Sequence, residues 1–322
     1  MSKKNLKSKY KRSIIRLGNS KAITFPQEWT KIAELKEKSE ITLYPIDDKT
    51  LVIRSLEKGE EHRVYRMNGV KMPIKLVRQA ILSAFKLNID DIYLKYNSEK
   101  KQELYELLIS LRREIIGIDF KDLPKNNEFY INFLLDASKT AFYDVIEDLV
   151  SVFHTIIKNI VEGKEEETRD LLLDEIERKY SLGTRILITG LSKYPITSSE
   201  LPTIRFLGDR VVLLYIRDFI NEALVNLKDI PYDVIKKYSD LLLKIPRLLE
   251  EIFENYNNIN LETVAEFQDY IINLEEDLKK KEFTSDQEIC HIRNVIKYYL
   301  RGFSVFFDIA ITRMIESEVG IS

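Results

Sequence analysis

The sequence predicts an α+β multidomain chain: a small β domain first, a mixed α/β segment second and a mostly helical region last. Three patterns carry this prediction. Apolar and polar residues alternate with a period of two over residues 10–55, both strand and helix periods occur over 56–128, and residues 129–318 follow the spacing of amphipathic helices. Ten glycines and eight prolines in 322 residues are too few for a loop-rich all-β fold.

In the first segment, Ser13-Ile14-Ile15-Arg16-Leu17 reads as a strand, Gly18-Asn19 as a two-residue turn, and Ala22-Ile23-Thr24-Phe25 as the returning strand. Pro26 stops that strand, residues 27–33 read as a short helix, and 36–39 as a charged turn. Residues 41–44 and 50–53 flank Asp47-Asp48 as a second hairpin. Four short strands and one helix bury too little surface on their own. This unit, residues 1–55, is therefore expected to complete its core by homodimerisation.

Residues 56–128 form the mixed segment, with candidate strands at 62–67 and 91–96 and candidate helices at 74–86 and 99–114. Residues 115–124, with Gly117 and Pro124, read as a connector. In the helical region, 129–322, Phe142, Val145, Ile146, Leu149, Phe153, Ile156 and Ile160 trace one buried face. Breaks at Gly163, 192–202, 229–231, 257–260 and 283–285 leave about six helices in two groups of three, near 129–228 and 229–322. The groups read as a repeat at an offset of 95 residues. Ile146, Val150, Phe153 and Ile157 match Leu241, Ile245, Leu248 and Ile252. Asp174 and Ile176 match Asp269 and Ile271, and Val211, Val212 and Leu214 match Phe306, Phe307 and Ile309.

Charge is distributed unevenly. Residues 1–55 hold thirteen Lys/Arg against six Asp/Glu, a net of +7, whereas the chain as a whole carries −2, which leaves −9 on 56–322. The first 21 residues contain eight cations (Lys3, Lys4, Lys7, Lys9, Lys11, Arg12, Arg16, Lys21) and no acid. Such asymmetry points to a polyanionic partner at the N-terminal end. A solvated tail explains Lys3 to Lys9 equally well, but Arg12, Arg16 and Lys21 lie within the patterned segment. Cys290 is the only cysteine, which rules out an intrachain disulfide and a cysteine metal cage and suits a reducing compartment. Without a secretory segment or an apolar run of about 18 residues, a cytoplasmic location without membrane insertion is expected.

The string Arg16-Leu-Gly-Asn-Ser-Lys-Ala-Ile-Thr-Phe-Pro, followed by Trp29, resembles the SpoVT/AbrB swapped-hairpin domain, a superfamily that includes the MazE-type antitoxins. The match covers about 45 residues. It departs from the family at Lys36 to Ser39, where a Gly-Asp turn is usual. The resemblance implies an intertwined homodimer, with Ala22 and Ile23 in a tight core, Trp29 as a plug in the dimer core, and basic strands on double-stranded DNA. Lys11, Arg12, Arg16, Asn19, Ser20 and Lys21 fall on the implied DNA-facing edge.

The helical region resembles PhoU, a phosphate-signalling protein of two tandem three-helix bundles. Asp174-Glu-Ile-Glu-Arg-Lys-Tyr180 looks like its acidic second-helix motif and Leu207-Gly-Asp-Arg-Val211 like its third-helix stretch. Val77-Arg-Gln-Ala-Ile and Arg113-Glu-Ile-Ile-Gly-Ile-Asp-Phe are similar to the connector of archaeal proteins that fuse the two domains. PhoU bundles hold metals with carboxylates one helical turn apart. Here the third-helix pairs are Arg205 with Asp209 and Leu300 with Ser304, and the second-helix pairs are Asp170 with Asp174 and Ala265 with Asp269. The second site is lost. Around Asp170, Asp174 and Asp209, a solvated acidic face neutralised by Arg178 and Arg205 is expected rather than a metal or other cofactor.

No enzyme is expected. His62, His154 and His291 lack metal-ligand or nucleophile-base spacing, and no phosphate-binding loop, dinucleotide fingerprint or nucleophile elbow is present. His154 falls on the apolar stripe and is expected to be packed and satisfied. Three functions remain open. One is a DNA-binding transcriptional regulator of phosphate uptake with a PhoU-like sensor or partner-binding domain. Another is a PhoU-type interaction protein that controls a phosphate transporter, docks a protein partner through its helices and uses the AbrB-like part only to dimerise. The third is an antitoxin, which the long patterned helical region disfavours.

Overall fold

The structure, a computed structural model, describes residues 10–45, 49–55, 62–136, 140–164, 169–192, 203–227, 230–254, 256, 259–280 and 287–319. It is an α+β protein in two compact units, residues 1–61 and 62–322.

Among its described residues, the first unit holds two antiparallel hairpins and one helix. Strands β1 (Ile15–Leu17) and β2 (Ser20–Ala22) pair across Gly18-Asn19, where Gly18 takes a φ of +60° that the tight turn requires. The return strand is therefore earlier and shorter than the expected 22–25: pairing ends at Ala22, and Ile23, Thr24 and Phe25 lead to Pro26 outside the ladder. Pro26 caps α1 (Gln27–Ile32), and its carbonyl accepts from Thr30 N–H at 3.0 Å. Phe25 and Trp29 stack at 5.2 Å between ring centres. Strands β3 (Ile41–Pro45) and β4 (Leu51–Ser55) form the second hairpin. No described residue between 10 and 55 is buried.

The second unit opens with a four-stranded sheet, β5 (Val64–Asn68), β6 (Asp91–Lys95), β7 (Ile118–Leu123) and β8 (Glu128–Phe133), in the order β5-β6-β8-β7. β5 and β6 run parallel, joined by α2 (Ile74–Lys86); the other pairings are antiparallel. Helix α3 (Lys101–Glu114) precedes β7. Val77, Ile81, Phe85, Leu104, Leu108 and Leu111 from the helices meet Met67, Ile92, Leu94, Phe129 and Ile131 from the sheet in one buried core.

Residues 115–124 are thus not a connector. Six of them form β7, and β8 runs across the position where helix was expected to begin. The physical reason is visible in β8: Phe129, Ile131 and Phe133 are buried in strict alternation, the period of a half-covered strand. The chain reverses between the two strands at Pro124–Asn127, where Asn127 takes a φ of +52°.

Seven helices follow among the described residues: α4 (Phe142–Glu162), α5 (Arg169–Ser192), α6 (Thr203–Glu222), α7 (Tyr232–Lys237), α8 (Ser239–Glu254), α9 (Leu261–Lys280) and α10 (Gln287–Val319). A single π-helical turn, Ala223–Leu227, continues α6. The expected face of α4 is buried from Phe142 to Ile157, and the helix ends at Gly163, whose φ of +65° makes a left-handed cap. α4 packs on α5 and α8, α5 on α6, α6 on α10, and α9 on α10. The centre is aromatic: Phe219 lies 4.9 Å from Tyr299, 5.5 Å from Phe303 and 5.8 Å from Phe306. Gly302 permits this approach, because a Cβ there would collide with the Phe219 ring.

The repeat is partly in phase. All eight matched apolar residues of α4 and α8, from Ile146 to Ile157 and from Leu241 to Ile252, are buried. The third helices fall out of register at that offset: Val211 and Leu214 are exposed, whereas Phe306 is buried. No helix among the described residues is long and apolar enough to cross a membrane.

Candidate nucleic-acid interface

The β1–β2 hairpin fixes the predicted cations. Side chains alternate across a strand, and residues directly opposite each other share a face. Ile15, Leu17, Ser20 and Ala22 therefore lie on one face, and Arg16 opposite Lys21 on the other. Lys11, Arg12, Arg16, Asn19, Ser20 and Lys21 are all exposed. Arg16 Nε donates to the Gly18 carbonyl at 3.1 Å, which folds its guanidinium toward the turn. Arg12 donates to the Lys11 carbonyl at 3.0 Å and lies 5.9 Å from the Tyr10 ring centre. Tyr10 is itself anchored to Glu28 at 2.6 Å.

Like charges directly opposite across a hairpin repel. Among the described residues, none of Lys11, Arg12, Arg16 or Lys21 makes an ion pair. The described cations of this run thus form no ion pair, while Lys3, Lys4, Lys7 and Lys9 lie outside the described residues. On the opposite face Ile15 is 48% and Leu17 68% exposed, and Ile23, expected in a core, is 46% exposed. Trp29 is half-buried.

The acidic positions on α5 and α6 differ from expectation. Asp209 does not belong to a solvated face. It is buried and paired with Arg313 of α10, while Tyr256 donates to it at 3.3 Å. Arg313 also donates to the Tyr256 carbonyl at 3.0 Å, with its guanidinium 3.6 Å from that ring centre. Burial raises the Asp209 carboxyl above its ordinary range, and Arg313 opposes that shift. Arg205 pairs with buried Glu316 at 3.2 Å rather than with Asp209, and Arg178 pairs with Glu175. Asp174 is half-buried, and the Asp170 side chain lies outside the described residues. No group of three His, Cys, Asp or Glu side chains placed to hold a metal occurs among the described residues.

The histidines also find separate environments. His62 Nε2 lies 2.5 Å from Asp91, which accepts at 2.8 Å from Tyr130 as well. The Asp91 hydrogen bond raises the His62 pKa, and the same carboxylate pushes the Tyr130 hydroxyl up to about 12. His154 is satisfied, through a pairing with Glu250 of α8 at 2.5 Å, but it is half-buried rather than packed into the apolar stripe of α4. His291 and Cys290 are exposed neighbours on α10.

Sequence reasoning missed a second buried cation. Arg185 of α5 donates to the carbonyls of Phe85 at 2.7 Å and Ile89 at 3.3 Å, at the C-terminal end of α2, and stacks 4.8 Å from the Phe85 ring centre. Burial lowers its pKa to about 10, which leaves it charged at neutral pH. It joins the sheet layer to the helical region. Nothing in the local sequence marks it, because its partners lie about 100 residues away. Comparison with known proteins found no matching family model, no matching curated protein and no matching solved structure.

Proposed function

We propose that this chain is a DNA-binding transcriptional regulator that acts as a homodimer of its N-terminal unit, with the Arg16–Lys21 face against double-stranded DNA. The observation that carries the proposal is the pairing of these two cations on one exposed hairpin face, without an acid partner among the described residues. Duplex phosphates relieve that repulsion. Arg12, Arg16 and Lys21 supply the charge, and Asn19 at the turn supplies a neutral hydrogen-bonding group, whereas Ser20 lies on the opposite hairpin face with Leu17. Dimerisation is supported by the absence of any buried residue among those described between 10 and 55, combined with the exposure of Ile14, Ile15, Leu17, Ile23, Ile32, Leu43 and Leu51. A second copy of the swapped-hairpin kind provides the missing core. The resemblance of the helices to the tandem bundles of PhoU adds phosphate uptake as the regulated process, the helical region as sensor or partner platform, and the cytoplasm as the site of action.

The test is a gel-shift experiment with the full chain and promoter DNA. Arg12→Ala/Arg16→Ala should weaken binding strongly and lower its salt dependence; unchanged affinity would defeat the proposal. One observation favours the second reading, an interaction protein that only dimerises through its N-terminal unit. Leu207, Val211 and Leu214 make an exposed apolar stripe along α6. That reading predicts a dimer with no measurable affinity for duplex DNA.

A further inference from the structure

Three cations of the second unit converge on one aromatic ring. Tyr180 of α5 is 4% exposed, and its ring centre lies 4.2 Å from the Arg217 guanidinium, 5.0 Å from that of Arg210 and 5.0 Å from the Lys86 ammonium. Arg210 and Arg217 stand two turns apart on one face of α6, and Lys86 is the last residue of α2. Each charge is within 5.0 Å of the ring centre, so any two are at most twice that distance apart. Arg217 is paired, with Asp218 at 2.7 Å and Glu177 at 3.9 Å. Lys86 and Arg210 make no hydrogen bond or ion pair among the described residues, and Nη1 of Arg210 is buried without an acceptor. Burial holds the Lys86 ammonium below its ordinary pKa; Glu177 opposes that shift, while Arg210, Arg217 and Arg78 add to it. Arg78 is itself occupied by Glu114. Lys86, Arg210, Arg217 and Glu177 are each partly exposed, so the cluster opens on solvent.

We infer that this cluster binds a phosphate group, free or carried by a small phosphorylated molecule, between Lys86, Arg210 and Arg217. A cation is attracted to the face of a ring, and a ring has two faces, so Tyr180 alone does not satisfy three cations. Stacking also leaves the N–H donors of Arg210 without an acceptor, and a donor hidden from water without one is costly. The one acid that acts on Lys86 among the described residues, Glu177, is shared with Arg217. A tetrahedral oxyanion supplies what is missing: oxygens that point in several directions, each able to accept at about 2.7–2.9 Å from a charged donor. A phosphate group also brings close to two negative charges at neutral pH. A monocarboxylate offers two coplanar oxygens and a single charge, which is too little for three cations spread around a ring. The site lies within the second unit, separate from the N-terminal cations, and does not depend on the DNA reading.

The test is calorimetric titration of the full chain, without DNA and at constant ionic strength, with inorganic phosphate, glycerol phosphate and acetate. Phosphate should bind saturably and acetate should not. Binding of inorganic phosphate makes the free ion sufficient, whereas binding of glycerol phosphate alone assigns the site to a phosphorylated molecule. Lys86→Gln/Arg210→Gln should weaken the bound phosphate at least about tenfold, since two charge-assisted contacts are lost. The single Lys86→Gln, at a partly exposed helix end, should move affinity in the same direction with the fold intact. Arg12→Ala/Arg16→Ala should leave phosphate binding unchanged. Failure of both phosphates to bind would overturn the inference. So would acetate binding as tightly as phosphate, or undiminished phosphate affinity in both Lys86 variants.

Discussion

Replacing Asp209 by alanine removes the one carboxylate that pairs with Arg313 among the described residues, and the Arg313 side chain is only 4% exposed. The guanidinium keeps its hydrogen bond to the Tyr256 carbonyl and its stacking on the Tyr256 ring, so it stays in place but loses its counter-charge. Breaking one side of a buried ion pair costs about 3–5 kcal/mol, because the remaining charge is left desolvated. With an m-value of about 2–3 kcal/mol/M, the urea midpoint of the second unit should fall by about 1–2 M. Replacing both partners, Asp209→Leu/Arg313→Met, removes the buried charges together and should recover much of that loss. The assay is urea unfolding followed by far-ultraviolet circular dichroism, with the m-value compared across variants. A single variant within about 1 kcal/mol of the parent, or a double variant no better than the single one, would refute the view that this pair is desolvated and mutually dependent.

Other expectations follow from the same structure. Arg185→Ala should destabilise the second unit by about 3 kcal/mol, since two charge-assisted hydrogen bonds are lost, and Arg185→Lys should recover only part because an ammonium cannot span both carbonyls while stacked on Phe85; urea unfolding reads both. Gly302→Ala should cost about 1–3 kcal/mol by forcing the Phe219 ring out of its packing, visible in the thermal midpoint. His62 should titrate above the ordinary histidine value, as read by nuclear magnetic resonance, and Asp91→Asn should bring it down. Its folded pKa is raised, so its contribution to stability is fully present below the unfolded value and is lost as pH rises through the folded one.

The elements most legible in the sequence are those whose own periodicity decides their burial. Helix α2 occupies the expected 74–86, and the α4 stripe from Phe142 to Ile156 is buried as read, because each turn there presents one apolar face. The β7–β8 pair was missed although Phe129, Ile131 and Phe133 alternate. Gly117 and Pro124 drew attention to the chain's turns rather than to the six residues of β7 between them. The N-terminal cations could be found from composition alone, and Gly18-Asn19 placed their turn. What sequence could not supply is pairing across distance. Asp209 and Arg313 are 104 positions apart, so nothing local distinguishes this buried carboxylate from a solvated one.

Engagement of duplex DNA by the hairpin cations is tested most directly by the salt dependence of binding. Fluorescence anisotropy with the full chain and labelled promoter DNA, over a series of potassium chloride concentrations, gives the slope of log affinity against log salt. Engagement of about six phosphates predicts a slope near −5, reduced by about two in Arg12→Ala/Arg16→Ala. A slope near zero, or one that the double substitution leaves unchanged, would contradict the account.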